Sequence, residues 1–163
     1  MQIYIAGVMQ GSREDHLVNT QDYRPMIADA LEKKYTNITV IDPFALYPES
    51  FSYDINQARQ TFEDEMVLAA EADMLIAYLP EASMGTAIEM WVAHKAGKRI
   101  VAVTPLAHNW VVRITADEVF PEHGPAVHKQ IDPMGAAHGG RRGQAVWRLG
   151  GERSHQYRIL GSR

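Results

Sequence analysis

The 163-residue sequence predicts a single α/β domain with a doubly wound parallel sheet in three layers. Apolar segments of strand length alternate four times with segments of helical spacing, an order typical of parallel sheets with helices on both faces. Residues 74–79 and 99–104 are almost continuously apolar, as expected for strands that are covered on both sides. The sequence contains no internal repeat.

The first half of the chain supplies two of these strands. Gly7 ends the first strand and begins a polar loop, and Pro25 is compatible with a helix only in its first turn. Pro43 stops the second strand, and a loop rich in proline and aromatic residues follows it. The expected elements are a strand at 3–6, a helix at 23–34, a strand at 37–42 and a loop at 43–54.

The second half repeats the alternation more regularly. Ser83 is a favourable N-cap residue, and Gly97 is the expected C-terminal stop of the helix that Ser83 begins. The expected elements are a helix at 56–72, a strand at 74–79, a helix at 83–96, a strand at 99–104 and an amphipathic helix at 108–120. The whole order corresponds to a flavodoxin-like, three-layer domain.

The C-terminal part differs in composition and charge. Seven of the twelve glycines lie between Gly135 and Gly161. Residues 1–132 carry 10 basic and 19 acidic side chains, a net charge of −9, whereas residues 133–163 carry six arginines and one glutamate, a net charge of +5. We therefore expect a domain at 1–132 and a Gly/Arg-rich tail at 133–163. The tail is expected to be mobile, packed on a partner subunit, or altered by a reading-frame change.

The composition also excludes several classes of function. The chain has no cysteine, so it has no disulfide, thiolate metal site or cysteine nucleophile, and its histidines show no ligand spacing. We therefore expect no metal and no cofactor. The acidic body argues against nucleic-acid binding. No apolar stretch has the length of a membrane span and no basic leader precedes the first strand, so we expect a cytoplasmic protein.

The loop after the first strand is one candidate binding loop. Gly7 and Gly11 let the backbone approach a ligand, and Gln10 and Arg13 offer donors. The loop matches neither common glycine-rich phosphate pattern, so a plain turn is an equally good interpretation.

The loop before the fourth helix is the second candidate. Free amide groups after Ser83 and the positive end of the helix dipole favour an anion there. Glu89 follows six residues later, about 9 Å along the axis, which is the order of a sugar phosphate's length. An anion held at Ser83 would thus place a sugar near Glu89, a potential nucleophile or acid–base group. The alternative is a solvent-facing Glu89 paired with a lysine.

Other side chains have two interpretations each. Asp64 and Glu65 could reach the same cleft as a general acid, or they could be solvated helix residues. Tyr4 is expected mainly in the core. The loop aromatics Phe44, Tyr47 and Tyr53 could stack on a base or pack internally.

Residues 4–15, YIAGVMQGSRED, and residues 70–103, AEADMLIAYLPEASMGTAIEMWVAHKAGKRIVAV, resemble the nucleoside 2-deoxyribosyltransferase superfamily, which includes 2′-deoxynucleoside 5′-phosphate N-hydrolases and CMP hydrolases. The resemblance covers residues 2–120. It implies that Glu89 attacks the anomeric carbon and forms a glycosyl-enzyme ester. The transferases carry an aspartate at the position of Ser83 to read a free 5′-hydroxyl, whereas the hydrolases carry a phosphate-binding serine. The serine therefore implies a nucleotide substrate and water as acceptor.

The same resemblance implies further roles and two departures. Backbone amides of the Gly7–Gly11 loop and the Ser83 turn, which includes Gly85 and Thr86, would hold the phosphate, and Tyr4 would flank the sugar. The hydrolases carry an arginine at the position of Gln10, and Arg13 is the candidate to replace it. The family's assisting aspartate corresponds to Glu65, with Asp64 adjacent, so either acid could assist base departure and position water. The superfamily usually forms dimers that complete each other's pockets, which implies a homodimer or higher oligomer with Asn109 and Trp110 at the contact.

The expected function is hydrolysis of the N-glycosidic bond of a (deoxy)nucleoside 5′-monophosphate, with release of free base and sugar 5-phosphate. The alternatives are a 2-deoxyribosyltransferase acting on free nucleosides and a non-catalytic, flavodoxin-like nucleotide-binding module. A phosphoribohydrolase of the cytokinin-activating type is disfavoured, because Glu81 and Ala82 stand where that family has a double glycine.

Overall fold

The computed structural model describes residues 1–11 and 18–121. Strands and helices alternate along this part of the chain. The elements are β1 (Gln2–Gly7), α1 (Tyr23–Lys34), β2 (Thr39–Ile41), α2 (Pro43–Leu46), a 3₁₀ turn (Ser50–Ser52), α3 (Ile55–Glu71), β3 (Met74–Tyr78), α4 (Met84–Lys95), β4 (Arg99–Val103), α5 (Trp110–Thr115) and β5 (Glu118–Phe120).

The five described strands form one parallel sheet in the order β2-β1-β3-β4-β5. The prediction of a doubly wound, flavodoxin-like α/β domain is confirmed. β1 lies between β2 and β3, with Ile3 in register with Val40 on one side and Met74 on the other. The chain reverses its winding direction between β1 and β3, and ligands of open α/β sheets bind at the carboxyl ends of strands at such a switch point.

The side chains of β1 alternate between two apolar clusters, because successive residues of a strand face opposite sides of the sheet. Ile3 and Ile5 pack in the cluster that contains Ile27 of α1. Tyr4 and Ala6 pack in the cluster that contains residues of α3, α4 and α5. The strand therefore directs Tyr4 toward the layer that carries Glu89, which positions the candidate site.

Two segments differ from the sequence-based expectation. Residues 108–120 do not form one helix, since α5 ends at Thr115 and β5 follows as a fifth strand. Asp117 sets this change, because its amide donates to Ile100 O and its carboxylate accepts from Ile100 N, both at 2.8 Å. Residues 43–54 are not a plain loop either, since Asp42 accepts a hydrogen bond from Phe44 N and begins the short helix α2.

Other expectations fall partly or wholly outside the described residues. The tail at 133–163, the domain boundary at 132 and Arg13 lie beyond them. Gly97, by contrast, adopts a φ of +74° directly after α4 and ends that helix as expected. None of the helices within the described ranges is long and apolar enough to cross a bilayer.

Candidate active site

A buried tyrosine–glutamate pair lies between β1 and α4. The Tyr4 hydroxyl donates to Glu89 Oε1 at 2.7 Å. Tyr4 is fully buried and Glu89 is 6% exposed, so the carboxylate points inward rather than toward solvent. β1 carries Tyr4 and α4 carries Glu89. Successive side chains of β1 point to opposite faces of the sheet, and Tyr4 points to the face on which α4 packs.

The surroundings of Glu89 alter its ionisation. Burial raises the pKa of Glu89 from its usual 4.5 to about 7. The Tyr4 hydrogen bond and the Arg24 charge lower this pKa, whereas the charge of Glu65 raises it. The Glu89 carboxyl is therefore divided between its neutral and ionised forms near neutral pH, which is typical of catalytic acids, bases and nucleophiles.

The two neighbouring acids of α3 lie in different environments. Glu65 is 8% exposed, and burial raises its pKa while the Arg24 charge lowers it. Asp64 is partly exposed and accepts a hydrogen bond from Gln60 Nε2 at 2.9 Å, one turn earlier on the helix. Consecutive helical residues point about 100° apart. The structure thus brings Glu65 to the electrostatic surroundings of Glu89, and it places Asp64 nearer the surface.

The start of α4 is open. Ser83 Oγ accepts from Thr86 N at 3.4 Å and from Thr86 Oγ1 at 3.1 Å, so both contacts use its lone pairs and its hydrogen remains able to donate. Among residues 1–11 and 18–121, apart from the neighbouring residues and the backbone of α4 itself, no heavy atom lies within 4 Å of the position that a Cβ of Gly85 would take. Ser83 N-caps the helix as expected. A ligand can therefore approach the first turn of α4 closely.

The protein's own side chains occupy the space beside Gly7 and Gly11. A Cβ at Gly7 would lie 2.1 Å from the Tyr23 hydroxyl. Gly11 has a φ of +59°, and a Cβ there would lie 1.9 Å from Glu81 Oε1. These close approaches explain both glycines without a ligand. Gln10, in the same loop, is exposed.

The remaining predicted residues lie farther toward the surface. Asn109 is exposed and its carboxamide oxygen accepts from Val111 N at 2.9 Å, which caps α5. Trp110 beside it is 76% exposed. Among the loop aromatics, the rings of Phe44 and Phe51 pack against each other with centroids 6.3 Å apart. Burial raises the pKa of Tyr47, and the negative charges of Asp64 and Glu65 raise it further.

Sequence reasoning did not identify Arg24, although the structure buries it beside the site. Arg24 is 2% exposed and forms an ion pair of 2.8 Å with Asp42. An arginine in the first turn of a helix usually lies in solvent. No local pattern indicates burial here, because the partners come from β1, the following loop and the end of β2.

Comparisons with known proteins identify the fold. No protein-family model and no curated protein matches the chain. Among solved structures, a 2-deoxyribosyltransferase from Bacillus psychrosaccharolyticus is similar, with a TM-score of 0.61, 17% identity, and 81% of this chain and 93% of that chain covered. A conserved protein from Enterococcus faecalis is also similar, with a TM-score of 0.52 and 17% identity. The alignment covers 74% of this chain and 90% of that chain.

A CMP N-glycosidase from Clostridium botulinum is also similar. Its TM-score is 0.50 with 19% identity, and the alignment covers 80% of this chain and 96% of that chain. The protein therefore has the fold of a 2-deoxyribosyltransferase and of a CMP N-glycosidase, as the sequence resemblance implies.

Proposed function

We propose that the protein hydrolyses the N-glycosidic bond of a (deoxy)nucleoside 5′-monophosphate, with Glu89 as the nucleophile. The observation that carries this proposal is the buried, hydrogen-bonded pair that Tyr4 of β1 forms with Glu89 of α4. A carboxylate with this burial and a pKa near neutrality suits attack on a sugar. The fold shared with a 2-deoxyribosyltransferase and a CMP N-glycosidase supports the same class of reaction.

The proposed reaction has two steps. Tyr4 occupies Glu89 Oε1, which leaves Oε2 to attack C1′. A C1′–O ester bond forms while the C1′–N bond breaks, and the base leaves with the bonding electron pair and accepts a proton from protonated Glu65. Water then attacks C1′, Glu65 takes the water's proton, and the ester breaks to regenerate Glu89. The raised pKa of Glu65 favours its protonated form, as the first step requires.

The start of α4 supports a phosphate at the 5′ end of the substrate. Ser83 has a hydrogen to donate, Gly85 leaves the first turn open, and the helix dipole favours an anion. A rise of about 9 Å from Ser83 to Glu89 fits a phosphate at one and C1′ at the other.

One observation favours a second candidate, action on a free nucleoside. Glu81 Oε1 lies against the Gly11 backbone and accepts from Asn19 Nδ2 at 2.8 Å. This puts a carboxylate between the two loops assigned to the phosphate, where like charge disfavours a second anion. A hydroxyl could instead donate to Glu81, and a second base could serve as acceptor, as in a deoxyribosyltransferase.

We also propose that a second copy of the chain covers one face. Large apolar side chains are exposed on α4 and α5, and the spacing on α4 places them on one side of that helix. These exposed residues are Met84, Ile88, Trp91, Trp110 and Ile114. An isologous homodimer through this face would bring Asn109 of each copy toward the other. Sedimentation velocity tests this, and Trp110→Glu should convert a dimer to a monomer.

The decisive experiment incubates the protein with nucleosides and their 5′-monophosphates, with and without an acceptor base, and separates products by chromatography. Glu89→Gln should lower base release at least about a thousandfold with the fold intact, because the change removes the nucleophile and keeps the shape. Glu71→Gln, an exposed change at the end of α3, is the matched control and should keep parental activity. Equal base release from Glu89→Gln and the parent would refute the proposal.

The substrate panel separates the two candidates. Faster base release from monophosphates, without base exchange, supports the hydrolase. Faster release from nucleosides, or exchange of the added base, supports the second candidate. Glu81→Gln should then increase use of monophosphates relative to nucleosides, because it removes the opposing charge.

A further inference from the structure

The buried side chain of Arg24 donates hydrogen bonds to several segments of the chain. Its Nη1 donates to Ile5 O at 2.9 Å and to Asp42 Oδ1 at 2.8 Å, and its Nη2 donates to Gly7 O at 3.4 Å. The guanidinium thereby holds two carbonyls of β1 and the carboxylate that follows β2. Tyr4, which donates to Glu89, directly precedes Ile5 on the same strand.

A second set of contacts extends from Arg24 to the first loop. Its Nε donates to Gln21 Oε1 at 2.7 Å. Gln21 Nε2 donates to Val8 O at 3.1 Å and to Asn19 O at 2.8 Å. Val8 and Asn19 lie on opposite stems of the loop. A backbone hydrogen bond from Asn19 N to Met9 O, at 2.8 Å, joins the same two stems. Arg24 thus connects the end of β1 to both stems through one glutamine.

The network reaches the start of α4 as well. Asn19 Nδ2 donates to Glu81 Oε1, and Glu81 lies two residues before Ser83. One series of hydrogen-bonded residues, from Asp42 through Arg24, Gln21 and Asn19 to Glu81, therefore joins the segments that follow β2, β1 and β3.

Arg24 also places a positive charge among the ionisable groups of the site. Its charge acts on Tyr4, Glu65 and Glu89, and in each case it favours the ionised form of the acid. The ionisable side chains that interact electrostatically in this region are Tyr4 from β1, Tyr23 and Arg24 from α1, Asp42 after β2, Tyr47 after α2, Tyr53 before α3, Asp64 and Glu65 from α3, and Glu89 from α4.

We propose that Arg24 is a positioning residue of the N-glycosidase site, which acts by fixing the two stems of the first loop through Gln21 and by supplying a positive charge beside the strand that carries Tyr4. This inference rests on the proposed function. A buried ion pair contributes little net stability compared with apolar packing, so stability alone is a weak explanation for such a residue.

Three substitutions separate the charge, the loop contacts and the fold. Arg24→Gln removes the charge, so the low-pH limb of the pH profile of kcat should move to higher pH, and kcat at pH values below that limb should fall. Gln21→Leu keeps the charge and cuts the loop contacts, so KM should rise about tenfold while the limb stays in place. Asp42→Asn breaks the ion pair but retains the arginine, and the limb should not move upward.

The outcomes decide between positioning and a purely structural role. If Arg24→Gln and Asp42→Asn alter the pH profile equally, or neither alters it, the charge assignment is wrong. If Gln21→Leu leaves KM unchanged, the loop assignment is wrong. Should Arg24→Gln fail to fold, Arg24→Lys serves instead. Lysine keeps the positive charge but lacks the planar guanidinium, so Arg24→Lys should raise KM and leave the low-pH limb of the kcat profile in place. A displaced limb with an unchanged KM would overturn the proposal.

A measurement without turnover keeps this inference separate from the proposed function. The Glu89 carboxyl is titrated by ¹³C NMR, with Glu89→Gln used to assign the resonance. Its midpoint should rise in Arg24→Gln and should not rise in Asp42→Asn. If the parent releases no base from any substrate, the proposed function fails, while an unchanged Glu89 midpoint in Arg24→Gln refutes the charge role of Arg24 independently.

Discussion

Acidic side chains at the amino edge of the sheet differ from those of helices α3 and α4. At the amino edge, Asp73 Oδ2 accepts from Gln2 N at 2.7 Å and Asp117 Oδ2 accepts from Ile100 N at 2.8 Å, and both aspartates are exposed. On the helices that cover one face of the sheet, Glu65 and Glu89 are buried. The same residue class thus completes backbone pairing at the amino edge and lies among side chains beneath the helices.

The difference shows where the fold accepts an energetic cost. An exposed carboxylate that caps a strand amide is hydrated and stabilises the turn. A buried carboxylate loses hydration, and its raised pKa expresses that loss as a preference for the neutral form. The two acids at the amino edge therefore serve the fold, and the two buried acids of α3 and α4 are retained at its expense, as is common at functional sites.

The sharpest test of this comparison contrasts the two neighbouring acids of α3. Glu65→Gln should lower kcat for base release about a hundredfold, because it removes the group that we propose as the proton donor and acceptor. Asp64→Asn should change kcat less than about twofold, since its partly exposed carboxylate bonds Gln60 within the same helix. Initial rates of the two variants at saturating substrate provide the measurement, and a larger loss in Asp64→Asn would reverse the assignment.

The cost of burying Glu89 should appear directly in stability. Its folded pKa lies above the unfolded value, so the neutral form stabilises the fold below about pH 4.5 and this contribution is lost as the pH rises through about 7. Glu89→Gln should therefore be more stable than the parent at pH 8 by about 2 kcal/mol, with a smaller gain at pH 5. Urea unfolding at both pH values checks this prediction. A gain that is equal at both would show that ionisation of Glu89 is not its cause.

A smaller effect is expected from the partner of Glu89. Tyr4→Phe removes the hydrogen bond that lowers the pKa of Glu89, so the low-pH limb of kcat should move upward. At pH 7 we expect about a tenfold lower kcat, in line with the loss of one hydrogen bond to a charged group. A pH–rate profile from pH 5 to 9 provides the measurement. An unshifted limb would mean that the tyrosine acts only by packing.

Local patterns in the sequence predict much of the fold. The bounds of α1 agree with the expected helix at residues 23–34, and the buried strands β3 and β4 lie within the expected ranges. β5 was missed because its three residues carry too few positions for an alternation to be recognised, and Asp117 fixes them only by pairing with Ile100 of a neighbouring strand.

The candidate site divides in the same way. The spacing from Ser83 to Glu89 is local, so the sequence indicates both residues. The choice of Glu65 over Asp64 depends on the rotation of α3 against α4, and the partners of Arg24 come from three different segments. Contacts that join distant segments leave no periodic signal in a single sequence.

The bare first turn of α4 has a consequence for how this protein could change. Within the described part of the chain, no packed atom lies where a side chain at Gly85 would project. These residues can therefore accept a new side chain at the first turn of α4 without repacking the core. If the proposed phosphate binds there, its recognition and the integrity of the core are separable at this position.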